Sequence, residues 1–365
     1  MNKILLTADF HFGIHGRVAD TLMAAKSIRN YAQRHNIKHV FILGDLFHDK
    51  EIMNVEVAGQ VYDFFKETKS PKYNQDWIVF PGNHDMYYKY SWKTTTLHMF
   101  SDVLTVLEDL YRLEIYGRRF WTVPFIAVDK AYMNVIDELD NDSKDNDVIL
   151  THVGCIGATY NFCFLFQDQK AINFDHRAAG QVFTGHFHCY HRAGVKTHYI
   201  GSPIPFAFDE GVVDHGFVVY DCQTGGHEFV NLRPLMKNDF IGQLIPPDML
   251  TVDMEQLNKF AKTDIEGNCF RIVLDQYIPE ELTSTIRDKL MDMGAKQVRW
   301  LKLKDNLEPH KIKSKGSMEV RDLFKTFLEQ DKNADKYNLE LMETLHSEII
   351  YEGDSLYTVN SISIE

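Results

Sequence analysis

The chain carries no surplus of positive charge. Its 39 Lys and Arg face 52 Asp and Glu, a formal net charge of −13 over 365 residues. No global positive field therefore favours nucleic acid, and a phosphate-bearing substrate has to be held by metal ions or local basic patches. Cysteines are few. The five, at positions 155, 163, 189, 222 and 269, show no Cys-x-x-Cys spacing. An odd, scattered set fits reduced thiols and a cytoplasmic compartment. No run of about 18 apolar residues is there to span a membrane. Asp9 interrupts what would be the apolar region of a secretory leader, and no small-residue cleavage site follows. Internal repeats and low-complexity tracts are also lacking. So is a Gly-x-x-x-x-Gly-Lys-Ser/Thr phosphate loop, and the chain is not expected to hydrolyse ATP itself.

What is there is an ordinary apolar fraction, 44%, in a chain long enough for two or three domains. One stretch organises the rest. Trp77-Ile78-Val79-Phe80 reads as a short buried strand, and it runs into Pro81-Gly82-Asn83-His84-Asp85. Gly82 permits a backbone that side chains forbid. An apolar strand ending in such a turn places polar chemistry at the carboxyl edge of a sheet, where open α/β sheets bind ligands. The arrangement recurs four times. Ile4–Ala8 leads to Asp9 and His11, His39–Leu43 to Gly44-Asp45, Val148–Thr151 to His152, and Gln181–Thr184 to Gly185-His186-Phe187-His188. Any one of these is an unremarkable strand end. Five together form a metal-site pattern.

Residues 1–245 alternate strands and helical patterns, which indicates a layered α/β fold. Thr21–Gln33 and Val55–Glu67 read as helices, and Lys93–Tyr111 reads as a third. Ile245-Pro246-Pro247 is a domain boundary by composition. Residues 246–305 then read as a small α+β module, with strands at Cys269–Leu274 and Gln297–Leu303 and a helix from Pro279 to Gly294. Lys296–Lys315 holds seven Lys or Arg against two acids, and 306–316 reads as a basic linker. Residues 317–365 read as a helical segment. Ser317 can cap a helix whose apolar stripe is Val320, Leu323, Phe324, Phe327 and Leu328, and Leu339–Tyr351 reads as a second helix.

The chemistry follows from the donor types. Hard or borderline divalent cations take oxygen and imidazole ligands. Two ions about 3.5–4 Å apart clamp both the attacking and the leaving oxygen of a phosphoryl group. Asp45 is the natural bridging carboxylate. Asp9, His11 and His188 can complete one shell, and Asn83, His152 and His186 the other. His84 neighbours a ligand but has no ion to hold, so it suits proton donation to the leaving oxygen. His48, three residues after Asp45, reads as an active-site neighbour grouped with His84 as catalytic, the alternative being an ordinary loop histidine. The other histidines read as ordinary core or surface residues. The nucleophile is then an ion-activated water, with no covalent intermediate.

Asp-x-His, Gly-Asp, Gly-Asn-His-Asp, a lone His and Gly-His-x-His, in that order over residues 9–188, resemble the motif series of the calcineurin-like metallophosphoesterases. Gly44-Asp45-Leu46-Phe47-His48 and Tyr199-Ile200-Gly201-Ser202-Pro203 are similar to the SbcD-type DNA-repair nuclease subunit and its phage counterparts. The Val-Asp-Arg-Gly stretch of the protein phosphatases is absent. His48 stands where purple acid phosphatases have a metal-binding Tyr. The resemblance implies a layered sandwich of two mixed sheets flanked by helices. It also implies two divalent ions, manganese by preference with magnesium as the alternative, and the ligand and proton-donor roles given above. It implies DNA, as double-stranded ends or single strands, as substrate of an exonuclease or endonuclease in repair and recombination. The expected partners are a coiled-coil SbcC-like ATPase docked on the C-terminal helices and a second copy of the chain. The expected location is the cytoplasm, the host's for a phage-encoded chain. Residues 246–303 look like the DNA-facing cap of these nucleases. The alternative within the same superfamily is a small-molecule phosphodiesterase or phosphatase, for which a cap and C-terminal helices are superfluous.

Overall fold

The computed structural model describes residues 2–302 and 360–364, apart from 89–90, 128, 161–163, 166–171, 212 and 275–279. In chain order the body contains β1 (Lys3–Thr7), α1 (Val18–Arg34), β2 (His39–Leu43), α2 (Val55–Thr68) and β3 (Asp76–Phe80). Next come β4 (Thr105–Val106), β5 (Tyr111–Ile115), β6 (Arg118–Val123), α3 (Asp129–Asp142) and β7 (Val148–His152). A short antiparallel pair, β8 (Thr159–Tyr160) and β9 (Phe164–Leu165), precedes β10 (Gln181–Gly185). β11 (His191–Ala193), β12 (Thr197–Tyr199), β13 (Gly216–Asp221), β14 (His227–Asn231) and α4 (Leu232–Asp239) follow.

Two mixed sheets form, in the orders β14-β13-β1-β2-β3-β4 and β11-β12-β10-β7-β6-β5, the second extended beyond β5 by a strand from the far end of the chain. Side-chain alternation explains why they stack. Ile4, Leu6, Phe41, Ile78 and Phe80 on one sheet meet Phe120, Val148, Leu150 and Phe183 on the other in one buried cluster. The opposite face of the first sheet, with Leu5, Val40, Ile42, Trp77 and Val79, packs on helix residues such as Ala25, Ile28, Val61 and Phe65. The opposite face of the second, with Trp121, Ile149 and Val182, packs on Tyr132, Val135, Ile136 and Leu139 of α3. The result is a helix/sheet/sheet/helix sandwich. Strands buried on both faces read as unbroken apolar runs, as β2 and β3 do. α2 is set by Asn54, whose side chain accepts from the backbone N–H of Glu56 and Val57 and caps the helix.

The module after residue 248 contains β15 (Met249–Asp253), α5 (Met254–Leu257), α6 (Lys262–Ile265), β16 (Cys269–Leu274), α7 (Glu280–Asp292) and β17 (Gln297–Lys302). Its three strands pair in chain order, over a core of its own built on Phe270, Ile272, Leu290 and Val298.

Two expectations need correction. Lys93–Tyr111 is not a helix: it holds one 3-10 turn, Thr96–Phe100, followed by β4. Tertiary bonds override the local pattern there. Thr96 donates its backbone N–H to the Asp85 carbonyl at 2.9 Å, and the Thr95 hydroxyl bonds Glu108. Residues 360–364, expected within the helical segment, form β18 (Asn360–Ile364), parallel to β5 at the sheet's edge. The Asn-Ser-Ile-Ser-Ile alternation has the period of a strand, and it pairs a β5 edge that would otherwise be open. The linker at 306–316 and the helices expected over 317–351 lie outside the described residues, as does Pro279.

Candidate metal centre

All five apolar exits reach one place. β1, β2 and β3 run parallel in the first sheet, β7 and β10 run parallel in the second, and their carboxyl ends meet. Among the described residues seven non-glycine positions have positive φ, and four are here: Asp9 at 52°, His11 at 47°, Asp45 at 52° and His186 at 90°. Conformations of that kind cost on the order of 1–3 kcal/mol each and persist where the surroundings over-determine them. Backbone bonds do so here. Asp9 N–H donates to the Gly44 carbonyl (3.1 Å), and His11 N–H donates to the Asp45 carbonyl (3.0 Å). Gly44 joins these positions at φ 81°, whereas Gly82, expected to need a backbone that side chains forbid, has no positive φ; both glycines are required by close approach. A Cβ on Gly44 would lie 2.4 Å from His152 Nδ1, and one on Gly82 would lie 2.2 Å from Asp45 Oδ1.

The side chains fall into two groups that share Asp45. In the first, His11 Nε2 lies 3.0 Å from His188 Nε2 and 3.7 Å from Asp45 Oδ2. Asp9, His11 and His188 have ligand atoms close enough for one cation. In the second, His152 Nε2 lies 3.0 Å from Asn83 Oδ1 and 3.3 Å from Asp45 Oδ2. His186 Nδ1 meets the same Asn83 oxygen at 2.9 Å. Asp9 touches both groups: its carboxylate accepts the His186 backbone N–H at 3.0 Å and stands near His152. Every residue expected as a ligand is therefore in the cluster.

The donor set fits divalent cations. His152 Nδ1 donates to the Leu43 carbonyl at 2.8 Å, so a neutral His152 turns the Nε2 lone pair toward two oxygens that are themselves acceptors. His188 Nδ1 donates to Glu210 at 2.8 Å, so a neutral His188 turns its Nε2 lone pair toward the His11 nitrogen. With the imidazoles neutral, lone pairs converge on lone pairs in this buried site and need positive charge between them, a cation or else the protons that His152 and His188 retain. The ionisable groups respond to each other accordingly. Burial pushes the Asp9 carboxyl up to about 6 against the pull of His152 and His188. Burial pulls His152 down, but Asp45 and then Asp9 outweigh it and hold the imidazole at about 9. Burial also lowers His188, and Glu210 outweighs it, to about 9. Nothing comparable offsets burial at His186, which falls to about 3. Divalent ions, when bound, supply the charge that activates water and stabilises phosphoryl oxygens.

His84 is held on the rim by two bonds. Its backbone N–H donates to Asp45 Oδ1 (2.8 Å), and its Nδ1 donates to the His48 carbonyl (2.7 Å). The His48 ring stacks on it with centroids 5.4 Å apart, and His48 Nδ1 lies 3.4 Å from His11 Nδ1.

Four residues escaped the sequence reading of the site. Asp85 is buried and its carboxylate accepts the N–H of Gly82 (2.9 Å), Phe47 (3.1 Å) and Leu46 (3.3 Å), tying the Asn83 turn to the Asp45 turn. Its place in Gly-Asn-His-Asp was visible, but its task as a tether was not. Glu210 holds His188 from a distant loop. Phe125 stacks on His186 at 6.2 Å, and Phe206 stands edge-on to His11 at 5.8 Å and to His188 at 5.9 Å, so each group of side chains has an aromatic wall. No spacing signal marks these three.

A family model described as calcineurin-like phosphoesterase matches residues 2–190, which contain all five exits. The chain belongs to this family. Calcineurin-like phosphoesterases hydrolyse phosphoesters with divalent metal ions, and the cluster of Asp and His ligands accords with that chemistry. No curated protein matches the chain. Among solved structures it is similar to "GAP50 the anchor in the inner membrane complex of Plasmodium", with 10% identity and a TM-score of 0.39 over 63% of this chain and 88% of that one. A likeness so distant carries no functional inference. Among the described residues no helix is long and apolar enough to cross a membrane.

Proposed function

We propose that this calcineurin-like phosphoesterase is a DNA nuclease subunit of the SbcD type. Two divalent ions, manganese by preference, would be held by Asp9, His11, Asp45, Asn83, His152, His186 and His188, with His84 supplying the proton to the leaving oxygen. One observation carries the substrate reading. The small three-stranded module braces the loop that carries Glu210, the Thr251 hydroxyl donating to the Phe208 carbonyl at 3.3 Å. Arg271 and Arg299 of that module stand over the Phe208 ring, at 5.5 and 5.7 Å. Two residues further on, Glu210 grips His188. In a chain of net charge −13, two arginines packed on the loop that carries Glu210 support a polyanionic substrate. A small-molecule phosphatase has no use for such a module. The helical segment at 317–351 would dock a coiled-coil ATPase, and the nuclease would act as a homodimer.

The deciding assay gives the chain and manganese three substrates: labelled double-stranded DNA, bis-p-nitrophenyl phosphate and p-nitrophenyl phosphate. Cleavage of DNA and of the diester, with little turnover of the monoester, is the expected result. Rapid monoester hydrolysis with intact DNA would establish the phosphatase reading instead.

A further inference from the structure

We propose that Glu210 is the positioning residue for His188, and that through it one of the two ion positions is tuned separately from the other. Glu210 belongs to none of the five motifs and sits on the loop between β12 and β13. Both of its oxygens are committed. Oε1 accepts from His188 Nδ1 at 2.8 Å, and Oε2 accepts the backbone N–H of Phe206 at 2.7 Å and of Ala207 at 3.3 Å. The carboxylate is thus locked by its own loop before it meets the imidazole.

The loop is itself pinned along its length. The Ser202 hydroxyl donates to the Ile204 carbonyl (2.8 Å), Arg17 to that of Pro205 (2.9 Å), the Thr251 hydroxyl to that of Phe208 (3.3 Å) and His215 Nε2 to that of Glu210 (3.0 Å). Thr251 lies on β15, so the small module braces the same loop. A carboxylate that receives the far N–H of a ligating histidine fixes its tautomer, aims its other nitrogen and raises its basicity. The second group has separate supports. His152 is oriented by the Leu43 carbonyl, and His186 and Asn83 are oriented by each other. No bond of Glu210 reaches them. Loss of Glu210 should therefore weaken the position formed by Asp9, His11 and His188 and spare the one formed by Asn83, His152 and His186.

The proposal rests on the two-ion reading of the centre and is indifferent to the substrate. It is tested by calorimetric titration of manganese into the metal-free full-length chain, as wild type, Glu210→Ala and Glu210→Gln. Thermal melts of the metal-free proteins run alongside. Wild type should bind two ions. In Glu210→Ala one of the two should weaken by about 10–100-fold, the usual scale for such a partner, with the other nearly unchanged. Glu210→Gln keeps an acceptor for His188 but turns an amide N–H₂ on the Phe206 N–H, so it should fall between the two. A coupled two-manganese resonance signal in wild type should give way to an isolated-ion signal in Glu210→Ala at the same loading. Equal weakening of both ions, or no change in either, would overturn the proposal. If Glu210→Ala fails to fold, Glu210→Gln decides by the same criterion. A wild type that binds fewer than two ions would instead overturn the two-ion reading itself.

Discussion

Gly82→Ala tests the geometry of the centre with a single methyl group. The added Cβ would sit 2.2 Å from Asp45 Oδ1 and 2.4 Å from the Asp45 backbone nitrogen, where ordinary contact begins at 3.4 Å. The carboxylate could swing, but the backbone nitrogen cannot. The turn or Asp45 must therefore move by about 3.4 − 2.4 = 1.0 Å. Asp85 resists that movement, because it binds the Gly82 N–H and the N–H groups of Leu46 and Phe47 together. A displacement of ~1 Å at a catalytic group can cost ~10²-fold in rate. Overpacking costs ~1–3 kcal/mol in stability. The assay is kcat on bis-p-nitrophenyl phosphate with saturating manganese, together with ion stoichiometry and a thermal melt. Gly59→Ala is the matched control. Gly59 lies inside α2 with nothing within 4 Å of its Cβ position, so the same methyl should stabilise by roughly 0.5–1 kcal/mol and leave kcat alone. A Gly82→Ala enzyme with wild-type kcat and two bound ions would refute the claim that close approach of these turns builds the site.

Asp45→Ala should lose both ions and all activity, because its carboxylate stands between the two groups; two ions bound with unchanged affinity would show that it does not bridge them. His84→Gln should bind ions normally and cleave at least ~10²-fold more slowly, and near-normal single-turnover rates would remove it from proton transfer. Stripping the ions with a chelator should lower the melting temperature, since ligand at 100 times its Kd contributes about 2.7 kcal/mol per site; a melt indifferent to chelator and manganese alike would count against a metal centre. Phe324→Asp together with Phe327→Asp should abolish co-purification with a coiled-coil ATPase and leave diester hydrolysis intact, whereas stoichiometric capture by the doubly substituted chain would place the docking surface elsewhere.

The sequence alone determined which side chains could do the chemistry. Each ligand lies within a few residues of an apolar strand, and a strand's end fixes where its next residues emerge. Asp9, Asp45, Asn83, His152 and His186 were therefore legible as a set, not one by one. Their shared destination followed from the parallel α/β pattern. The layered α/β class was legible for the same reason, since buried strands announce themselves as apolar runs, whereas the two-sheet sandwich came from the resemblance of the motif series.

Only the tertiary structure decided what depends on approach between distant segments. Glu210 reaches His188 from a loop with no periodicity of its own. Phe125 and Phe206 become walls only because two sheets bring their loops to one edge. Asp85 looked like a fourth polar residue of a turn until its three backbone partners were in place. The segment at Lys93–Tyr111 had local signals that favoured a helix, yet bonds from Thr95 and Thr96 to Glu108 and Asp85 made it a turn and a strand. Residues 360–364 carried a strand's alternation, but only the open edge of β5 gave that alternation something to pair with. Local pattern fixes what a segment can form. Contacts across the chain select among those forms, because a hydrogen bond or a buried face needs a partner that sequence spacing does not reveal.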